Sequence, residues 1–351
     1  MNLTDDQIRE FICIGTRFLR MESAADRLYA VMIPGFLAES RDAGNIWNPV
    51  EKQPPADFLS DLTVSAAGDR ICVTTDTDVW STSDGCHSWS RIPLPVELAA
   101  PGEPALCAIQ LLDDGSLFLI GPQAGSAPVQ LHVYAMTAPA AAWEKIGAHV
   151  MNPAFASMFH RPLSVQPDQS VIVGCYPGVY RLRKTPNGYG PIEHLFPKTK
   201  NKPAPISDGF DVAVIEALAV SASDPSVMAV AASIDLHTHI HISLDGGATW
   251  TARDPLPLGF LVDDMIFEGT TLYAKVGGSM IPGKGFQQFI MATADKGVTW
   301  RDLTTPEVAA TLSREAGMFP FIGVARRSGL SAVDGQLLIY SPAIPLQSIA
   351  I

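Results

Sequence analysis

Seven segments of this chain, each an apolar strand that passes through a turn into a second apolar strand, begin beside a residue able to carry charge or act as a nucleophile. In order these residues are Arg20, Asp61, Cys107, His160 with Arg161, Glu216, Asp263 with Asp264, and Arg327 beside Arg326. Carboxylates and an imidazole perform general acid–base work when held within hydrogen-bond reach of the proton they move. Guanidinium groups clamp a carboxylate through paired N–H donors. Asp61, His160, Glu216, Asp263 and Asp264 are therefore the catalytic candidates, and Arg20, Arg161, Arg326 and Arg327 the ligand-binding ones. Gathered in one pocket, they would suit a small anionic or polyhydroxylated ligand. The plainer alternative is that strand starts near solvent are polar in any fold.

A second constellation is His237-Thr238-His239-Ile240-His241, three imidazoles alternating along one strand face. Same-face neighbours lie about 7 Å apart, too far for all three to reach one ion. A polar face between neighbouring sheets is expected there rather than a metal site, and no cofactor or metal is expected elsewhere. Five cysteines, Cys13, Cys72, Cys86, Cys107 and Cys175, make an odd count without a CxxC spacing, which predicts reduced thiols.

The elements that must position these groups come from a repeat. Residues 40–47, 82–89, 243–250 and 293–300 each read Ser/Thr-x-Asp-x-Gly-x-x-Trp, with Cys86 in place of one glycine. A short carboxylate in a tight turn accepts backbone N–H bonds, the glycine permits positive φ, and the hydroxyl satisfies another turn group. The tryptophan adds a large apolar body to pack between strands. The interval between the second and third copies holds room for two further units. Trp143 marks one, with Ala138 at the aspartate position; the other, around Tyr180 to Tyr189, has lost the motif.

An independent count uses the strand after each first turn: Leu28-Tyr29-Ala30, Ile71-Cys72-Val73, Leu117-Phe118-Leu119, Val171-Ile172-Val173, Val227-Met228-Ala229, Leu272-Tyr273-Ala274 and Leu337-Leu338-Ile339. Seven units about 40 to 65 residues apart fit four-stranded propeller blades. The expected fold is all-β: one seven-bladed β-propeller domain over residues 1–351, with six blades as the alternative. The last unit runs out of chain before a fourth strand. Arg9 to Ile14 are expected to supply it and close the ring, against a competing helix suggested by the Thr4-x-x-Gln7 capping pattern.

The four aspartate motifs resemble the Asp-box (BNR) repeat, and the resemblance covers the chain from about residue 20 onward. That family includes sialidases, some glycoside hydrolases, sortilin-like receptors and photosystem assembly factors. The resemblance implies four-stranded antiparallel blades with the box between the third and fourth strands, at the periphery, as a clamp without chemistry. Arg91-Ile92-Pro93 is similar to the sialidase arginine motif, but follows a box instead of preceding one. Tyr340-Ser341 sits late, where sialidases keep a tyrosine nucleophile, yet reads as packing within a strand.

Composition narrows the function. The formal net charge is −12 and the longest basic stretch is the short loop from Lys198 to Lys202, whereas nucleic-acid binding needs a positive field. No apolar run is long enough to span a membrane, and residues 1–6 lack the charge and apolar stretch of a leader, so a cytoplasmic protein is expected. Hydrophobic residues make up 47% and charged residues 17%, with 28 Gly and 28 Pro, as suits many short buried strands and tight turns. The leading expectation is a binding module that takes a small anionic or carbohydrate-like ligand, or a protein partner, at the propeller's axial funnel. The alternative is a hydrolase or lyase acting on a glycan-like or anionic substrate in the same place.

Overall fold

The computed structural model describes residues 18–351, apart from 34, 57, 99–106, 124–129, 138–141, 151–162, 176–177, 198–213, 235–236, 257–259, 282–284, 319–328 and 342–343. The expected closing strand at Arg9 to Ile14 and the variant turn at Ala138 lie outside the described residues. The chain forms a seven-bladed β-propeller of four-stranded antiparallel blades. Its contacts divide it into two compact units, residues 1–150 with 331–351 and residues 151–330.

In the first unit, blade 1 comprises β1 (Phe18–Ala24), β2 (Arg27–Met32), β3 (Phe36–Ser40) and β4 (Asn48–Pro49). Blade 2 comprises β5 (Asp61–Val64), β6 (Ile71–Thr74), β7 (Asp78–Thr82) and β8 (Ser90–Pro93). Blade 3 comprises β9 (Ala108–Leu111), β10 (Leu117–Pro122), β11 (Gln130–Met136) and β12 (Glu144–Val150). Of blade 7, β28 (Gln336–Tyr340), β29 (Gln347–Ala350) and the end of β27 (Gly329–Val333) belong to this unit, while the first two residues of β27 belong to the second. Tyr340 is fully buried within β28, as its surroundings in the sequence suggest.

In the second unit, blade 4 comprises β13 (Leu163–Val165), β14 (Val171–Cys175), β15 (Gly178–Leu182) and β18 (Glu193–Phe196). A small hairpin of β16 (Lys184–Thr185) and β17 (Gly188–Tyr189) separates its last two strands. Blade 5 comprises β19 (Val214–Val220), β20 (Met228–Ile234), β21 (His237–Ser243) and β22 (Thr251–Ala252). Blade 6 comprises β23 (Leu261–Glu268), β24 (Thr271–Ile281), β25 (Gly285–Thr293) and β26 (Arg301–Asp302). Among the described residues one helix, α1 (Pro306–Met318), departs from the all-strand pattern. Thr305 caps it by accepting the Val308 N–H at 3.3 Å, Pro306 occupies its first position, and Val308 and Leu312 are buried.

Apolar alternation places the core in layers between neighbouring sheets. Leu62, Val73 and Leu37 meet Tyr29 and Val31 between blades 1 and 2, while Ala229, Ala231 and Ile240 meet Val262, Ala274 and Val276 between blades 5 and 6. At about 25 cal/mol per Å² of apolar surface removed from water, such layers are the main favourable contribution to the fold.

The aspartate turns repeat one geometry. In blade 5, Ser243 Oγ donates to Asp245 Oδ1 at 2.9 Å and accepts the Gly247 N–H at 2.8 Å; Thr249 donates its N–H to Oδ1 at 2.8 Å and its hydroxyl to Oδ2 at 2.7 Å. Thr293, Asp295, Gly297 and Thr299 repeat it atom for atom. The Thr249 and Thr299 bonds hold the Asp245 and Asp295 carboxyls down at about 2. The tryptophans also act as staples, because indole N–H groups donate to backbone oxygens at the outer side of the preceding blade. Trp89 reaches Lys52 O (2.7 Å), Trp143 Pro93 O (2.9 Å), Trp250 Leu195 O (3.0 Å) and Trp300 Arg253 O (3.0 Å). Trp47 instead bonds Gly44 O within its own turn.

Gly297 shows why the motif needs glycine. Its φ is +81°, and an added Cβ would stand 2.6 Å from Arg253 Cβ and 2.7 Å from Ile242 Cδ1. In blade 2 the same position is Cys86, at φ +72°, whose side chain fills the space and is itself buried. Gly297→Ala is expected to cost about 1–3 kcal/mol from backbone strain and crowding, read as a drop in urea midpoint.

Candidate functional site

The candidate residues at the strand starts fall into local clusters. In the first unit Arg20 lies on β1 and Asp61 opens β5. Arg20 Nε stands 3.2 Å from Asp61 Oδ1, and Arg20 Nη2 stands 2.6 Å from Glu22 Oε1. Asp61 Oδ2 accepts the Ile109 N–H of β9 at 3.0 Å, and Thr63 Oγ1 accepts that of Leu111 at 3.0 Å. Burial pushes the Asp61 carboxyl up; the Arg20 charge and the backbone bonds offset only part of it. Cys107 lies just before β9, buried, and burial pushes its thiol up to about 12, so it is protonated at neutral pH and is no nucleophile as it stands.

In the second unit Glu216, on β19, accepts the Thr238 hydroxyl at 2.9 Å through Oε1 and the Val262 N–H of β23 at 2.8 Å through Oε2. Asp264, on β23, accepts the Leu330 N–H of β27 at 2.8 Å through Oδ2 and its neighbour Met265 N–H at 2.9 Å through Oδ1. Asp263 sits at the bulge of β23 and pairs with fully buried Lys275, Oδ2 to Nζ 3.2 Å. His160, Arg161, Arg326 and Arg327 lie outside the described residues.

A common rule emerges from these contacts. Asp61, Glu216 and Asp264 each give one oxygen to a main-chain N–H on the first strand of the next blade. Each oxygen satisfies a main-chain donor of the neighbouring sheet, so the three acidic side chains act as latches between blades. Sequence patterning finds their positions but not this use, because the partner is a backbone atom about fifty to seventy residues away and carries no side-chain signature.

Two clusters escape the sequence pattern altogether. Glu97 accepts Tyr134 Oη at 3.0 Å and Lys145 Nζ at 3.0 Å, and buried His132 places Nδ1 2.8 Å from it; together they pin the turn before blade 3 to the outer half of that sheet. The other is an arginine wall on blade 4. Arg181 Nε and Nη2 donate to Glu193 Oε2 at 3.0 and 2.9 Å, Arg181 Nη1 donates to Gly246 O at 3.0 Å, and Arg183 Nε donates to Glu193 Oε2 at 3.2 Å. Burial favours the neutral Glu193 carboxyl, but the two guanidiniums outweigh it and hold the group below its ordinary range.

The histidine ladder occupies β21, the third strand of blade 5. His239 Nδ1 is 2.7 Å from Asp254 Oδ2, and the His241 ring packs 4.7 Å from that of Phe196 on blade 4. Among the described residues no group of three or more His, Cys, Asp or Glu is placed to hold a metal ion. No described helix is long and apolar enough to cross a membrane.

No family model and no curated protein matches the chain. Solved structures do. A structure of YCF48 bound to D1 peptide is similar at TM-score 0.61 and 15% identity, over 96% of this chain and 94% of that one. The GH74 xyloglucanase of Xanthomonas campestris is similar at TM-score 0.58 and 13% identity, over 95% of this chain and 54% of that one. A streptogramin B lyase is similar at TM-score 0.57 and 11% identity, over 95% and 93%. Likeness at these identities speaks to architecture, and the architecture is that of a β-propeller.

Proposed function

We propose that this chain is an Asp-box propeller folding as one domain and serving as a binding module for a protein partner. The observation that carries the reading is the commitment of Asp61, Glu216 and Asp264 to main-chain N–H groups of adjacent blades. A carboxylate that loses its charge in a reaction would loosen the sheet beside it, so these groups serve better as fixed architecture than as proton carriers. The similarity to YCF48, solved with a peptide of D1, supports a peptide or protein partner. Arg20, Arg161, Arg326 and Arg327 are the groups proposed to engage an anionic ligand.

A second reading, a hydrolase or lyase with Asp61, His160, Glu216, Asp263 and Asp264 as its acid–base groups, is favoured by one feature. Asp61 is held towards its protonated form by burial, a property general acids share. The unpaired, buried thiols of Cys72, Cys86 and Cys107 suit a reducing compartment such as the cytoplasm.

The test pairs two assays on the full chain: binding to an array of peptides of varied charge, and turnover of aryl glycosides and glycuronides. Saturable peptide binding without turnover is expected. Turnover that vanishes in Asp264→Asn, with the parent's melting temperature retained, would replace the binding reading by the hydrolase one.

A further inference from the structure

Of the six asparagines in the chain, Asn187 alone is followed by glycine. It stands at the tip of the small hairpin of blade 4, in the turn Thr185-Pro186-Asn187-Gly188 that joins β16 to β17. Thr185, Pro186 and Asn187 are exposed, and among the described residues the Asn187 amide makes no hydrogen bond. Two other asparagines show what is special about this one. Asn45 donates through Nδ2 to Asp42 O, and the N–H of the next residue, Ile46, is held by Asp42 Oδ1 at 2.8 Å. Asn48 precedes Pro49, whose nitrogen carries no hydrogen.

The missing restraints matter because an asparagine amide is open to attack by the main-chain nitrogen that follows it. Loss of the Gly188 N–H proton to hydroxide lets that nitrogen form a bond to Asn187 Cγ. The Cγ–Nδ2 bond breaks, and ammonia leaves after taking a proton from water. A five-membered succinimide remains, and water opens it at either carbonyl to give aspartate or isoaspartate. One water is consumed and one ammonia released, with no oxidation or reduction. Glycine favours the step because it has no Cβ to crowd the nitrogen and turns freely about its backbone.

The hairpin supplies the freedom to reach that geometry. β16 and β17 pair only with each other, through Lys184 with Tyr189 and Thr185 with Gly188. A lone two-stranded pair is marginally stable in water. Its fastenings lie at the base: Tyr189 Oη donates to Gln169 O at 3.1 Å, the Gly190 N–H to Arg183 O at 3.0 Å, and Lys184 Nζ lies 4.6 Å over the Tyr189 ring. Across the turn itself the Thr185 hydroxyl donates to Gly188 O at 3.0 Å. The tip can therefore open locally while the blade stays in place. The aspartate turns are built the opposite way. Asp84 and Asp245 also precede glycine, but both oxygens of each accept hydrogen bonds and each group is held ionised, which makes it a poor target for attack.

We propose that Asn187 is a modification site, deamidating spontaneously through a succinimide with Gly188 to leave aspartate and isoaspartate at the tip of the blade 4 hairpin. The product places a new negative charge three residues from Lys184 and four from Arg183, on a chain whose net charge is already −12. The isoaspartate form also lengthens the main chain by one carbon within a two-residue turn, which breaks the pairing of Thr185 with Gly188. This proposal stands apart from the partner-binding reading.

The experiment incubates the full folded chain at mildly alkaline and mildly acidic pH and reads tryptic peptides by mass spectrometry against an unincubated sample. The peptide from Thr185 to Lys198 carries Asn187 as its one side-chain amide, so a gain of one mass unit there locates the change. It is expected to gain that unit progressively, faster in alkali, and to separate into two forms, of which an aspartate-specific protease cleaves one. Asn187→Gln should abolish the gain without disturbing the backbone. Gly188→Ala should slow it by about tenfold or more; since Gly188 has a φ of +111°, the glutamine variant keeps the test sound if alanine reshapes the turn. Tyr189→Ala, which unfastens the hairpin, should hasten the gain. A synthetic peptide of residues 183–190 gives the rate without the fold. An unchanged Asn187 in the folded chain while that peptide reacts, a larger gain at any other asparagine, or a gain that persists in Asn187→Gln would overturn the site.

Discussion

Asp263→Ala is expected to destabilise the protein by about 3–5 kcal/mol, among the largest effects of any single charged-residue change in the chain. Lys275 is completely buried in the middle of β24, and its ammonium group has Asp263 Oδ2 at 3.2 Å. Removing the carboxylate leaves a cation in a site made for a pair. The cost is that of a fully buried cation deprived of this carboxylate, which exceeds the net worth of the pair itself. Replacing both partners separates the two quantities. Lys275→Met keeps the length and apolar stem of the side chain, so the double variant Asp263→Ala/Lys275→Met should recover most of the lost stability. Urea unfolding of the four proteins in the cycle checks this. If the double variant is as unstable as Asp263→Ala alone, the charge pair is not what Asp263 serves.

Asp263 drew attention in the sequence because it stands, with Asp264, at the start of a blade's first strand. Its structural surroundings give it a plain duty, and Lys275 shares it. Nothing in the sequence marks Lys275, a lysine in mid-strand between Ala274 and Val276. A lysine at such a place ordinarily faces water, and only the bulge at Asp263 turns a carboxylate towards it. The repeat, by contrast, was legible. Asp42, Asp84, Asp245 and Asp295 act within their own turns, through atoms a few residues away, so local sequence carries the whole interaction. The second-strand triplets likewise fall in β2, β6, β10, β14, β24 and β28, with Val227 just ahead of β20.

Interactions that cross from one blade to the next left no such trace. The indole staples and the carboxylate latches both end on backbone oxygens or N–H groups, which every residue has. Blade 4 is the instructive failure. Sequence comparison registers it as a unit from which the motif has disappeared, and looks no further. The register of β14 and β15 places Leu182 at the position of the hydroxyl residue and Lys184 at that of the turn aspartate.

The remaining large effect is expected on acidification, and it originates on the same side of blade 5. His241 is packed against Phe196, ring centroids 4.7 Å apart, and Phe196 in turn meets Trp250 at 5.4 Å. Its Nε2 is buried without a hydrogen-bond partner among the described residues. Burial lowers its protonation to about 4, His239 adds to the lowering, and the Asp254 carboxylate opposes it. The unfolded chain binds that proton near pH 6.5. Between these two values the unfolded state holds more protons than the folded one, so stability rises with pH across the interval. His241 therefore adds to acid lability as pH falls from about 6.5 to about 4, and the loss is complete below the lower value. After discounting for partial exposure it should amount to about 2 kcal/mol. Asp245 and Asp295, held down at about 2, act in a separate and lower window, because their contribution is intact above about pH 4 and fades only towards pH 2. His241→Leu should flatten the profile between pH 6.5 and 4 while leaving the lower transition in place. Urea midpoints measured at half-unit pH steps resolve the two. A variant that keeps the parent's slope above pH 4 would move the responsibility from His241 to another group, with His239 and its Asp254 partner the next to be replaced.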